Sequence, residues 1–134
     1  MANILHQLSM AASAATPWVD VRASATGSVF TDCEDISSPV GVITLEFSND
    51  VATIEAEKAA GTPPLSTAAK LIANTTVPSG TAWTNGYDGN GAKSSGTTVT
   101  AAFAYARIRY ARTGGGASDT LNVRWNLPER LGRY

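Results

Sequence analysis

The chain has 134 residues, 10 Lys and Arg against 11 Asp and Glu, and a formal net charge of -1. That balance gives no field to attract nucleic acid or an acidic membrane, so neither is expected as a partner. A single cysteine, Cys33, rules out an intrachain disulfide framework and is read as a small core thiol.

Residues 1–15 carry no charge and hold Ile4, Leu5, Leu8 and Met10 as their sizeable apolar groups. The segment reads as an N-terminal arm, a helical turn or an extended piece, that packs on its own domain or on a neighbour. No Lys or Arg precedes Arg22, which argues against a signal peptide, and no stretch reaches membrane-spanning length. The protein is therefore expected to be soluble and made in the cytoplasm. The remainder, 16–134, reads as one domain.

After Pro17, the run from Trp18 to Ala23 alternates as a first strand, and Gly27 to Cys33 follows as a second. Gly41 to Phe47 is a clear strand, with Ile43, Leu45 and Phe47 on one face and Val42, Thr44 and Glu46 on the other. It stops at Ser48, Asn49 and Asp50, whose short polar side chains bond nearby backbone and favour a turn. Beyond them, Val51 to Glu57 fits a strand, and a short helix over Thr53 to Ala60 fits nearly as well.

From Gly61 to Gly96 prolines, glycines and small polar residues predominate, so a long excursion with at most one strand or helical turn is expected. Trp83 and Tyr87 lie in its polar part, where they either pack the loop down or make a contact surface. The last quarter, Ala101 to Leu127, reads as a β-hairpin across a glycine-rich turn, Thr113 to Ser118. Its first run places Tyr105, Arg107 and Arg109 on one face as a basic aromatic strip. In an acidic protein such a strip suits a protein interface better than single-stranded nucleic acid. A tail with Arg130, Arg133 and Tyr134 adds to the arginines gathered at this end.

No catalytic constellation emerges. The lone histidine, His6, is read as solvated and has no nucleophile near it in sequence. Asp88 to Asn90 resembles the start of a calcium loop, but the closing position is Val99 rather than an acid. Paired carboxylates at Glu34 and Asp35, or at Glu55 and Glu57, are read as surface charge. The chain is thus expected to be non-enzymatic and to need no cofactor or metal.

Two segments, GVITLEFSND (41–50) and YARIRYARTGGGASDTLNVRW (105–125), resemble a module of tailed-bacteriophage structural proteins. There a strand ending in an SND turn is followed by a strand of the form Y-x-R-V-R-Y, a small-residue turn and a strand closing on an aromatic. In this chain Val51 and Ala52 follow the turn where the family has glycine and an aromatic, and the excursion is longer. The resemblance implies a jelly-roll or discoidin-like sandwich used in head decoration, cement or appendage proteins.

Together these readings predict an all-β antiparallel sandwich of about eight strands. Its core is expected at Val19, Val21, Ile43, Leu45, Phe47, Ala106, Ile108, Leu121, Val123 and Trp125. The expected role is a capsid decoration protein on the virion surface, binding major capsid subunits and itself as a homotrimer. The alternative is a carbohydrate-binding module of a tail or fibre with Trp83 and Tyr87 as its platform.

Overall fold

The computed structural model describes residues 2–33, 37, 39–76, 93–99 and 103–129. Among the described residues nine strands and one helix follow in order: β1 (Ala2–Ser9), β2 (Ala14–Ala15), β3 (Val19–Asp20), β4 (Gly27–Cys33), β5 (Pro39–Ser48), α1 (Val51–Ala60), β6 (Leu71–Thr76), β7 (Lys93–Val99), β8 (Tyr105–Gly115) and β9 (Thr120–Leu127). Sheet A has the order β1-β9-β4-β7, and sheet B the order β2-β8-β5-β6, with β3 also paired to β8. All pairings are antiparallel. Because β2 and β3 occupy one position beside β8, these are the two four-position sheets of a jelly roll.

Alternation decides which side chains enter the space between the sheets. Ile43, Leu45 and Phe47 of β5 and Ala106, Ile108 and Tyr110 of β8 meet Val29 of β4 and Leu121, Val123 and Trp125 of β9 there, all nearly or fully buried. Every one of the ten expected core residues lies in this cluster, and so does Cys33.

The connectivity differs from the hairpin that Ala101 to Leu127 suggests. β8 pairs with β2, β3 and β5, whereas β9 pairs with β1 and β4, so consecutive strands face each other across the core. A turn crossing between sheets aligns two apolar faces on one core just as a hairpin does, so alternation reads the same for both. Gly115, at φ 76°, supplies the left-handed backbone that begins the crossing. Asp119 then accepts from the Ser37 N–H at 2.9 Å and from its hydroxyl at 2.5 Å.

The N-terminal segment is not an arm set apart from the domain. Residues 2–9 form β1, an edge strand in register with β9 from Ala2↔Leu127 to Ser9↔Thr120. Met10, which follows, is fully buried and its N–H bonds the Asp119 carbonyl at 3.0 Å. The excursion also holds more order than expected, with β6 and β7 as two strands rather than one. The first strand after Pro17 is shorter, only Val19–Asp20.

At 51–60 the helix prevails over the strand. The Ser48-Asn49-Asp50 turn prepares it: Ser48 Oγ accepts from Asp50 N–H at 3.0 Å, and Asp50 Oδ1 caps the helix by accepting from Thr53 N–H at 3.4 Å. Asn49 Oδ1 takes the Ala104 N–H at 2.7 Å and ties the turn to the start of β8. Gly61, at φ 96°, ends the helix and donates its N–H to the Lys58 carbonyl.

Candidate interaction surface

The two outer faces of the sandwich are built differently. On sheet B, α1 and the following loop lie over the outer ends of β5 and β8, forming a second core of Trp18, Ile54, Ala69, Ala104 and Tyr105. Charged side chains hold this cover. Arg107 is fully buried and donates from Nε to Glu46 Oε1 at 2.7 Å, from Nη1 to the Pro64 carbonyl at 2.7 Å and from Nη2 to the Leu65 carbonyl at 3.2 Å. Its guanidinium stacks 4.9 Å from the Trp18 ring.

Trp18 in turn donates from Nε1 to Glu57 Oε1 at 3.0 Å, and Glu57 also accepts from the Thr67 hydroxyl and the Ala68 N–H. Burial pushes the Glu57 carboxyl up, but those three hydrogen bonds outweigh it and leave it below the ordinary range. Tyr105 donates its hydroxyl to Glu55 Oε1 at 2.5 Å, which lowers the carboxyl and raises the phenol. Arg22 donates to the same hydroxyl at 3.1 Å.

The basic aromatic strip is therefore corrected. Tyr105 and Arg107 are internal struts of the helix-to-sheet contact, with no ring or guanidinium presented to a partner. Arg109, the third member, is half-buried, and its Nε has no hydrogen-bond partner among the described residues. Glu55 and Glu57, read from sequence as surface charge, are each engaged in holding α1.

Sheet A has no such cover among the described residues. Paired residues share a face, so the registers align Leu5, Arg124, Phe30 and Gly96 in one row across the outer side. Leu5 is 52% exposed and Phe30 43%, and with Asn3, Ser28, Arg124 and Asn126 they line a shallow groove. The next row is a polar ladder: Gln7 Nε2 donates to Asn122 Oδ1 at 2.9 Å, and Asn122 Nδ2 donates to Asp32 Oδ1 at 2.9 Å. Arg124 closes it with an ion pair to the other Asp32 oxygen. The result is a flat face with two apolar side chains flanking an anchored guanidinium.

Of the expected contact residues, Leu5 alone is shown on this face. Ile4 and Leu8 point inward and are partly buried against the core, and Met10 is wholly inside it. Trp83, Tyr87, Arg130, Arg133 and Tyr134 lie outside the described residues. Phe30 was legible but not picked out, since an alternation placing Val29, Thr31 and Cys33 inside leaves Phe30 facing out.

His6 is not simply solvated. It lies on the inner side of β1 and its Nδ1 accepts from Trp125 Nε1 at 3.0 Å, with the rings edge to face. Burial holds its pKa below the ordinary value of 6.5. The unfolded chain therefore takes up this proton more readily, and stability that is full above about pH 6.5 falls as pH drops toward the folded pKa. The melting temperature should decrease between pH 7.5 and 5, and His6→Gln, which keeps an acceptor, should flatten that decrease. An unchanged slope in the variant would assign the pH effect elsewhere.

Among the described residues, no three His, Cys, Asp or Glu side chains converge to hold a metal ion, and no helix is long and apolar enough to cross a membrane. What the fold and this site define is a jelly-roll sandwich with one sheet face covered and the other open among the described residues. No family model matches the chain, and no curated protein does. Among solved structures it is similar to one described as Bacillus endospore appendages that form a novel family of disulfide-linked pili, at 12% identity over 94% of this chain and 86% of that one, TM-score 0.34. It is similar to the K3 cleaved adhesin domain of Lys-gingipain from Porphyromonas gingivalis, at 14% identity over 84% and 61%, TM-score 0.39. A third similarity is to a triple jelly roll in the turret assembly of an archaeal virus, at 11% identity over 94% of this chain and 29% of that one, TM-score 0.34. The chain thus spans less than two thirds of the adhesin and turret chains, and likeness at this level assigns no function.

Proposed function

We propose that this protein is a non-enzymatic virion structural protein, a decoration or cement protein that docks on neighbouring major capsid subunits through the outer face of sheet A. The observation that carries the reading is the row Leu5–Arg124–Phe30, in which two large apolar side chains stay exposed on a regular sheet whose other side is fully packed. Apolar side chains exposed as a pair around a charged group suit a protein partner, because covering them recovers about 25 cal/mol per Å² of apolar area. The jelly-roll strand order and the resemblance of segments 41–50 and 105–125 to phage structural proteins support the same role. Glu57, which lines the cavity beside Trp18, is engaged in structural hydrogen bonds, which supports the non-enzymatic reading.

Quantitative mass spectrometry of gradient-purified particles from the source tests this. A copy number in the hundreds, in simple ratio to the shell subunit, is expected. A few dozen copies or fewer would move the protein to a tail or fibre, and absence would remove the virion role. Leu5→Asp combined with Phe30→Asp should cut particle occupancy at least tenfold while the isolated protein keeps its melting temperature within a few degrees, since both side chains are largely outside the core. Full occupancy by the double variant would show that another surface makes the contact.

A further inference from the structure

Residues 51–70, α1 and the loop behind it, are an insertion between two neighbouring strands. β5 ends at Ser48 and β6 begins at Leu71, and these two residues pair with each other. The insertion is closed at the same point: the Ser48 hydroxyl donates to the Lys70 carbonyl at 2.7 Å, and the Lys70 N–H donates to Asp50 Oδ2 at 3.1 Å. The described ladder pairs of sheet B all lie outside 51–70, so the insertion can leave the sheet without unzipping it.

Apolar packing holds the insertion weakly. Within 51–70 only Ile54 and Ala69 are buried, against Trp18, Ala104 and Tyr105. A cavity of about 150 Å³ interrupts the seam between Trp18 and Gly61, Pro63 and Pro64, and the atoms lining it lack packing partners there. Carboxylates supply many of the remaining ties. Glu55 reaches Tyr105 of β8, Glu57 reaches Trp18 and closes the loop through Thr67 and Ala68, and Asp50 joins the first turn of α1 to Lys70.

We infer that residues 51–70 are a lid that lifts from sheet B as one unit while the sandwich stays folded, and that acid lifts it by protonating Glu55, Glu57 and Asp50. Lifting uncovers Trp18, Tyr105 and Arg107. Arg107 and Glu46 are cross-strand partners within the sheet, so their ion pair survives the opening and regains water. Around the bond from Tyr105 to Glu55 stand Asp20 and Arg22 from the end of β3 and Lys58 of α1; Arg107 acts on Glu57 and Lys70 on Asp50. The Tyr105 hydroxyl, with Lys58 and Arg22, holds the Glu55 carboxyl below its ordinary 4.5. The Lys70 N–H and the Thr53 contacts hold Asp50 below 3.8, and Glu57 is likewise low. All three therefore take up protons more readily with the lid open. Closure is fully favoured above about pH 4.5 and weakens as pH falls through that value.

Native-state hydrogen exchange on the unaltered full chain tests this. At about pH 6 the α1 amides should share one opening constant, about tenfold or more above that of the β5 and β8 amides. Between about pH 6 and about pH 3.5, with intrinsic rates corrected, α1 protection should fall about tenfold further while β5 protection holds within about twofold. Glu55→Gln combined with Glu57→Gln keeps an acceptor at each position but cannot titrate there. That variant should begin with low α1 protection at about pH 6 and lose most of the fall with pH, Asp50 supplying what remains. Loss of protection in α1 and β5 together at one pH overturns the lid, as does α1 protection that stays constant with pH. A double variant with the full pH response overturns the role of the two glutamates. The lid covers the face opposite the Leu5–Arg124–Phe30 row, so particle occupancy and lid opening are read separately.

Discussion

Arg107→Ala is expected to cost about 3–5 kcal/mol of unfolding free energy, the range for removing one member of a buried ion pair. Arg107 is fully buried and the Glu46 side chain is 8% exposed, so truncation leaves a carboxylate in the interior without its cation. It also releases the carbonyls of Pro64 and Leu65 and the stacking against Trp18, through which the loop after α1 is held to sheet B. The measurement is equilibrium denaturation in urea, with the midpoint compared at constant slope. Arg107→Met together with Glu46→Leu should recover most of the loss, because replacing both charges with apolar groups of similar size removes the desolvation cost along with the attraction. A single variant that loses less than about 1 kcal/mol would show that the pair is solvated rather than buried.

Trp125→Ala should cost a similar amount, about 3–5 kcal/mol, by emptying the centre of the core. Trp125 is 1% exposed and is the largest fully buried side chain among the described residues. Its effect reaches the edge strand, since Nε1 donates to His6 and the residue itself pairs with Ile4. Amide exchange in β1 should accelerate more than in β5, which is held on both sides by β6 and β8. Trp125→Phe, which keeps most of the volume but loses the donor, should retain the fold at a smaller cost and separate the packing effect from the His6 hydrogen bond. Uniform acceleration over both sheets in Trp125→Phe would mean that the bond to His6 has no local role.

The sequence by itself determined which side chains go inside. Alternation in 18–23, 41–47, 105–110 and 121–127 is a local property, fixed by the two-residue period of a strand, and it assigned all ten expected core positions. It also marked the Ser48-Asn49-Asp50 turn, because short polar side chains bond the backbone within reach whatever the rest of the chain does. Tertiary structure decided the rest. Whether two apolar faces lie side by side in one sheet or face each other across the core is invisible to alternation, and so β8 and β9 read as a hairpin. Between strand and helix at 51–60, the Asp50 cap and the burial of Ile54 against Trp18 and Tyr105 tipped a near balance of propensities. Arg107 looked like a surface charge because its partners come from far along the chain: Glu46 is set opposite it by the pairing of β5 with β8, and the carbonyls of Pro64 and Leu65 reach it only when the loop after α1 closes over sheet B.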